Sequence, residues 1–153
     1  TMPWAGPMKT KTSSRLRTII LVVVGLVIVG LVWAGISLFT SMDQQLAQSR
    51  AAADKVVAVV SSDWGRATLD PLATPEFVAA HAKGQYDSAR YLQVLGAMQS
   101  NRVCVIEGMQ VVNWNGWSRW KCPAVFERGE ATLVITLTLS NGQWLLSDFA
   151  VQI

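Results

Sequence analysis

The sequence predicts an α+β chain in which one N-terminal transmembrane helix extends into a small domain of helices packed on a curved four-stranded antiparallel sheet. Three observations predict it. Thr18 to Thr40, TIILVVVGLVIVGLVWAGISLFT, runs for 23 residues without a charged side chain. At ~1.5 Å of rise per residue, a helix of that length exceeds the ~30 Å hydrocarbon core of a bilayer. No Pro or Gly interrupts the chain from Ser37 to Trp64, so the helix is expected to continue beyond the apolar run. After Asn101 the texture changes from helical spacing to the strict alternation of half-buried strands.

The charge distribution sorts the chain into three parts: a tail at 1–17, a span at 18–40 and a domain at 41–153. Of 13 basic residues, four (Lys9, Lys11, Arg15 and Arg17) precede the span, and the first acidic residue is Asp43. The remainder therefore holds nine basic against ten acidic residues, a net of −1. A domain with no excess of cations lacks the electrostatic footprint of a nucleic-acid binder. Lys and Arg before a first span stay on the cytoplasmic side, which orients the tail inward and the domain outward. An uncleaved anchor is expected, because the apolar run is longer than a signal-peptide core and Leu38-Phe39 stand where a cleavage site needs small residues. The start at Thr1-Met2 is read as simple loss of an initiator residue.

The tail, TMPWAGPMKTKTSSRLR, is too polar and too rich in Pro and Gly to build a core. Trp4 is a contact candidate there, either in the interfacial aromatic belt or against a partner subunit. Within the span, Gly30, Ala34, Ser37 and Ser41 fall on one stripe of small side chains that admits close approach of another helix. Beyond it, Met42, Leu46, Ala53, Val57, Val60 and Trp64 recur at helical spacing, predicting an amphipathic continuation to about Ser62 that ends at Trp64-Gly65.

Leu69 to Ala73 reads as a linker. Thr74-Pro75-Glu76 then supplies an N-cap, a proline at the first helical position and a first-turn acid, predicting a helix from Pro75 to about Ala82 that stops at Gly84. A second helix is predicted from Gln85 to about Met98, turning Tyr86, Ala89, Leu92 and Leu95 or Gly96 inward. Arg102 to Val112 is the first strand. Trp120, Cys122, Ala124 and Phe126 alternate on the next, and Ala131, Leu133, Ile135, Leu137 and Leu139 on the third. A hairpin about Arg128-Gly129 would set 126 opposite 131, 124 opposite 133 and 122 opposite 135. Asn141-Gly142 is the strongest short hairpin signal available. Strict alternation after it would bury Asp148 and expose Phe149, so a bulge at Ser147-Asp148 is expected.

Cys104 and Cys122 lie in the part assigned to an oxidising compartment, where a disulfide is the natural inference and two free buried thiols the alternative. A two-residue turn at Asn115-Gly116 would put Cys104 opposite Glu127. The disulfide therefore calls for a longer loop, roughly Met109 to Trp117, in place of a tight turn. Trp114 and Trp117 would then sit on that loop, either exposed as a contact patch or folded back over the sheet edge.

The ending Gly142-x-Trp144-x-Leu146-x-x-Phe149-x-Val151, together with Phe126-Glu127-Arg128-Gly129-Glu130-Ala131, resembles the nuclear transport factor 2-like or cystatin-like superfamily over about 43–153. The resemblance implies a cone of sheet and helices that serves enzymes, ligand binders and structural modules alike, so it does not give a function. Scaffold subunits of type IV secretion machines within it share the layout of anchor followed by domain.

The sole imidazole, His81, falls late in a short helix, where a dipolar role is ordinary, and Asp148 is expected outside the cone. No catalytic, cofactor or metal residue is predicted. The expectation is a non-catalytic, single-pass subunit of a larger bacterial inner-membrane complex, respiratory, photosynthetic or secretory, with its domain on the periplasmic side. Its contacts would be Trp4, Gly30, Ala34, Ser37, Trp114 and Trp117, and its partners other membrane subunits and the lipid bilayer. The alternative is an anchored domain that binds a small ligand in its cone.

Overall fold

The structure, a computed structural model, describes residues 14–62, 66–84 and 88–153. The chain falls into two units, the first ending at Asp43 and the second comprising Gln44–Ile153. Trp4 and the dipeptide Trp64-Gly65, like Tyr86, lie outside the described residues.

Helix α1 (Ser14–Ser62) supplies residues to both units. In the first unit it is long and apolar enough to cross a bilayer, and its most apolar window has none of its residues buried within the chain. A helix of a soluble core would be covered; this one presents its Leu, Ile and Val side chains outward. Ser37 donates its hydroxyl to the Ala34 carbonyl at 3.0 Å, which satisfies a polar group that lipid could not.

In the second unit the buried face of α1 is Ser49, Ala53, Val56, Val57 and Val60, spaced as one helical stripe. The predicted stripe began earlier, but Met42 and Leu46 are exposed and the burial starts at Ser49. Its ending near Ser62 is as predicted, and Ser61 and Ser62 return their hydroxyls to the Ala58 and Val59 carbonyls.

The predicted linker is ordered structure: α2 (Arg66–Leu69) and a 3-10 turn (Asp70–Leu72). Leu69 is fully buried, and Ala73 forms a parallel bridge to Leu146 while the Thr74 amide donates to the Leu146 carbonyl at 2.8 Å. Helix α3 (Pro75–Ala82) has its predicted bounds, with Thr74 Oγ1 accepting from the Phe77 amide at 3.3 Å. Helix α4 (Ser88–Leu95) ends earlier than the predicted Met98. Gly96, at φ +79°, ends it, and Met98 already begins a strand.

Five strands follow, one more than expected: β1 (Met98–Asn101), β2 (Val105–Val112), β3 (Asn115–Phe126), β4 (Gly129–Ser140) and β5 (Gln143–Gln152). The curved antiparallel sheet has the order β1-β3-β4-β5, with β2 also pairing with β3. The predicted first strand, Arg102 to Val112, corresponds to β2, which pairs with the Asn115 end of β3, and the additional strand is β1, on the Phe126 end.

The β3–β4 hairpin buries the predicted face, but its register differs by two residues. Phe126 pairs with Gly129, Ala124 with Ala131 and Cys122 with Leu133, because the turn is Glu127-Arg128. Those two residues clasp the end of α4. The Arg128 amide donates to the Leu95 carbonyl at 3.0 Å, Arg128 Nη1 to the Val94 carbonyl at 3.0 Å, and Glu127 Oε2 accepts from the Ala97 amide at 3.3 Å. Carbonyls left unpaired at a helix end thus find partners in the sheet.

The β4–β5 hairpin turns at Asn141-Gly142, both left-handed, and Ser140 pairs with Gln143. The register shifts where Leu137 faces Leu146 and Thr136 faces Asp148, so Ser147 is the extra residue of the expected bulge. Its hydroxyl donates to the Thr136 carbonyl at 3.1 Å. Past the bulge Phe149 is buried and Asp148 exposed.

Candidate functional site

Two groups of side chains in the second unit stand apart from ordinary core, one inside the sheet and one on its edge. Inside, Ser49 of α1 and Ser118 and Trp120 of β3 are all buried. Trp120 Nε1 donates to Ser49 Oγ at 2.8 Å and to Ser118 Oγ at 3.2 Å, and the two hydroxyls are 2.6 Å apart. One helical turn earlier, Trp144 Nε1 donates to Gln45 Oε1 at 3.1 Å. Two indoles from the sheet thus bond side chains at i and i+4 of α1. A buried N–H without an acceptor is costly, so these bonds favour a single helix register over sliding. Sequence reading placed Trp120 and Trp144 inside from their alternation. It missed Gln45 and Ser49, because a polar residue on an amphipathic helix gives no sign of which indole lies opposite.

The concave centre of the sheet is filled by Leu133, Ile135, Leu137, Leu146 and Phe149. Beside α1 opens a groove of about 400 Å³ lined by Gln48, Ala52, Lys55, Leu72 and Trp144. His81 is in the last turn of α3, its ring 5.8 Å from that of Phe77. Among the described residues no three or more His, Cys, Asp or Glu side chains gather as metal ligands would.

The edge group is built on the β2–β3 hairpin. Cys104 and Cys122 form a disulfide with their Cα atoms 4.1 Å apart. The expected conflict between disulfide and tight turn dissolves in two steps. The turn is Asn113-Trp114, one dipeptide earlier than Asn115-Gly116, with Val112 facing Asn115. A bulge at Glu107, between Ile106 and Gly108, then shifts the register by one residue. Together they carry Cys104 opposite Cys122. The predicted long loop from Met109 to Trp117 is therefore paired strand on either side of the two-residue turn. Gly116 is in β3, where a side chain would run into the Gln110 carbonyl, so that glycine marks a close approach of strands instead of a turn.

Trp114 occupies the second turn position at φ +62° and is 73% exposed. Trp117 is on the outward face, 42% exposed, with its ring over Gly108, where a Cβ would lie 3.0 Å from Cη2. Val103, Val105 and Val112 are exposed along the same edge. Glu107 Oε1 meets Lys121 Nζ at 2.7 Å across the hairpin. The hydrogen bond from Lys121, aided by the charges of Lys121 and Arg119, holds the Glu107 carboxyl below its ordinary pKa against a smaller opposing desolvation. The remaining contact candidates, Gly30, Ala34 and Ser37, are exposed in the first unit, with nothing within 4 Å of a Cβ built on Gly30.

No protein-family model, curated protein or solved structure matches this chain.

Proposed function

We propose that the protein is a non-catalytic, single-pass subunit of a larger bacterial membrane complex. The span packs on neighbouring helices through the Gly30, Ala34 and Ser37 stripe, and the basic tail with Trp4 stays at the cytoplasmic face. The domain, of the nuclear transport factor 2-like kind, lies on the periplasmic side and uses the β2 edge, with Trp114 and Trp117, for contact. One observation carries this reading: an uncovered apolar helix passes directly into a domain whose interior is filled by its own side chains while a valine- and tryptophan-bearing edge stays exposed. Apolar surface concentrated on one edge of a small domain marks an interaction site.

The 400 Å³ groove beside α1 favours a second reading, an anchored domain that holds a small ligand there. Extraction in mild detergent followed by a native gel separates the two. A subunit migrates with its complex, whereas a lone small species that retains a small molecule overturns the subunit reading. Protease added to intact spheroplasts should remove the domain; protection there, with digestion only after lysis, reverses the orientation.

A further inference from the structure

We propose that the groove between α4 and the Glu127-Arg128 turn binds an acidic segment of a neighbouring subunit, with Arg90 and Arg128 holding its carboxylates. This site rests on the subunit reading and specifies the chemistry of one partner.

The two arginines are far apart in sequence, and the second unit brings them to one groove. Arg90 is in the first turn of α4, and Val94 comes one turn later on the same side of the helix. Arg128 is fixed against that helix twice, its amide donating to the Leu95 carbonyl at 3.0 Å and its Nη1 to the Val94 carbonyl at 3.0 Å. One N–H of the guanidinium goes to Val94, and the rest of its donor fork is left for an anion. The groove, of about 620 Å³, is lined by Arg90, Tyr91, Gln93, Val94 and Arg128. That volume is in the range of pockets that hold a drug-sized ligand, more than a lone inorganic anion fills.

Charge decides the occupant. Among the described residues the groove holds two cations and no carboxylate, in a domain whose net charge is −1. Elsewhere in the domain basic side chains have acids beside them. The groove that contains Arg50 and Arg102 also contains Asp54, Arg102 borders a second groove with Glu130, and Lys121 meets Glu107 at 2.7 Å. Glu127, next to Arg128 in sequence, accepts from the Ala97 amide and does not line the groove. Two guanidiniums without an acid suit carboxylates, which match the planar fork with paired hydrogen bonds. Tyr91 and Val94, 47% and 65% exposed, add an apolar wall to the same groove. A phosphate headgroup would use the charge and leave that wall bare, whereas a peptide bearing both acidic and apolar side chains uses both. Arginine and tyrosine are also among the side chains that dominate binding at interfaces. The twelve residues of β3, at most about 40 Å of strand, run between this groove and the Trp114 turn, so the two surfaces meet different parts of the complex.

The test places the photo-crosslinking residue p-benzoylphenylalanine at Tyr91, and separately at Trp114, in the full chain in native membranes, and maps each adduct by mass spectrometry. The Tyr91 adduct should fall on a segment of another subunit that carries two or more Asp or Glu side chains. Arg90→Glu, which sets like charges together, should lower that yield about tenfold. Arg90 is exposed, so the variant domain should melt at the unaltered temperature. An adduct with lipid, with a second copy of this chain or with a segment lacking acids overturns the proposal, as does a yield indifferent to Arg90→Glu. Absence of a Tyr91 adduct beside a protein adduct at Trp114 overturns the groove alone and leaves the subunit reading standing. Protein adducts at neither position end the subunit reading, and the groove goes with it.

Discussion

On the inward side of the sheet, Trp120 and Trp144 are buried and each gives its indole N–H to α1. On the outward side and at the hairpin tip, Trp117 rests over Gly108 and Trp114 stands free of its own sheet, 73% exposed. Three of these four rings come from one short stretch, 114–120, and strand parity divides them. The comparison teaches that a tryptophan cluster in sequence is not one feature. An indole whose N–H is bonded inside fastens the fold, and one set on the other parity or in the turn is available to something else.

The largest effect should come from breaking the inward side. Trp120→Ala removes a full indole and takes its N–H from the buried Ser49 and Ser118 hydroxyls, so it should destabilise the domain by about 3–5 kcal/mol in denaturant unfolding. Trp117→Ala should cost only about 1 kcal/mol, since its ring is already half in water. Equal losses would mean that Trp117 belongs to the core and that the division is wrong.

Next in size is the bridge that closes the β2–β3 hairpin. Cys104→Ser should cost about 2–4 kcal/mol, because it frees a loop of 18 residues in the unfolded chain. Mass measurement of protein never exposed to reductant should find no free thiol. Two free thiols would remove the bridge and the register argument with it. Local reading of the sequence could not have reached that register. Asn115-Gly116 has the composition of a turn, yet Gly116 is glycine because the Gln110 carbonyl crowds it from the next strand. The true turn, Asn113-Trp114, has half the usual signature, and the compensating bulge at Glu107 carries none.

Other elements were legible because a single local rule governed them. Thr74-Pro75 set the start of α3, Asn141-Gly142 set the last hairpin, and the clash of Asp148 with alternation demanded the bulge at Ser147. Where two distant pieces had to meet, composition fell silent. The segment from Leu69 to Ala73 looked like a linker, though its Ala73 end docks on Leu146, and the turn expected at Arg128-Gly129 is instead Glu127-Arg128, which completes α4. The candidate contact residues were visible as tryptophans. Parity with Trp120 turns Trp117 outward, while the placement of Trp114 in the turn itself depended on a one-dipeptide shift.

A smaller effect compares the two left-handed turns directly. Trp114→Gly should raise domain stability by about 0.5–1 kcal/mol, as relief of the left-handed strain outweighs the added freedom of the unfolded chain. Gly142→Ala, at φ +76°, should lower it by a similar amount. If Trp114→Gly destabilises instead, the indole packs on its own sheet, and the hairpin tip loses its claim to an outside contact.

The smallest expected effect is electrostatic and tests whether the outward face is as solvated as its exposure says. The Lys121 hydrogen bond lowers the Glu107 pKa in the folded protein, so the pair stabilises the fold at pH above the ordinary glutamate range. That contribution fades as pH falls through the lowered folded value, since the protonated carboxyl no longer attracts Lys121. A carboxyl carbon titration by NMR should give Glu107 a midpoint below an ordinary glutamate, rising toward it in Lys121→Ala. High salt should produce part of the same rise, because exposed charges are screened. A midpoint that rises in Lys121→Ala but ignores salt would mean that the pair is shielded from water, with that stretch of the outward face covered and not open to a partner; one indifferent to both would mean that the pair does not form.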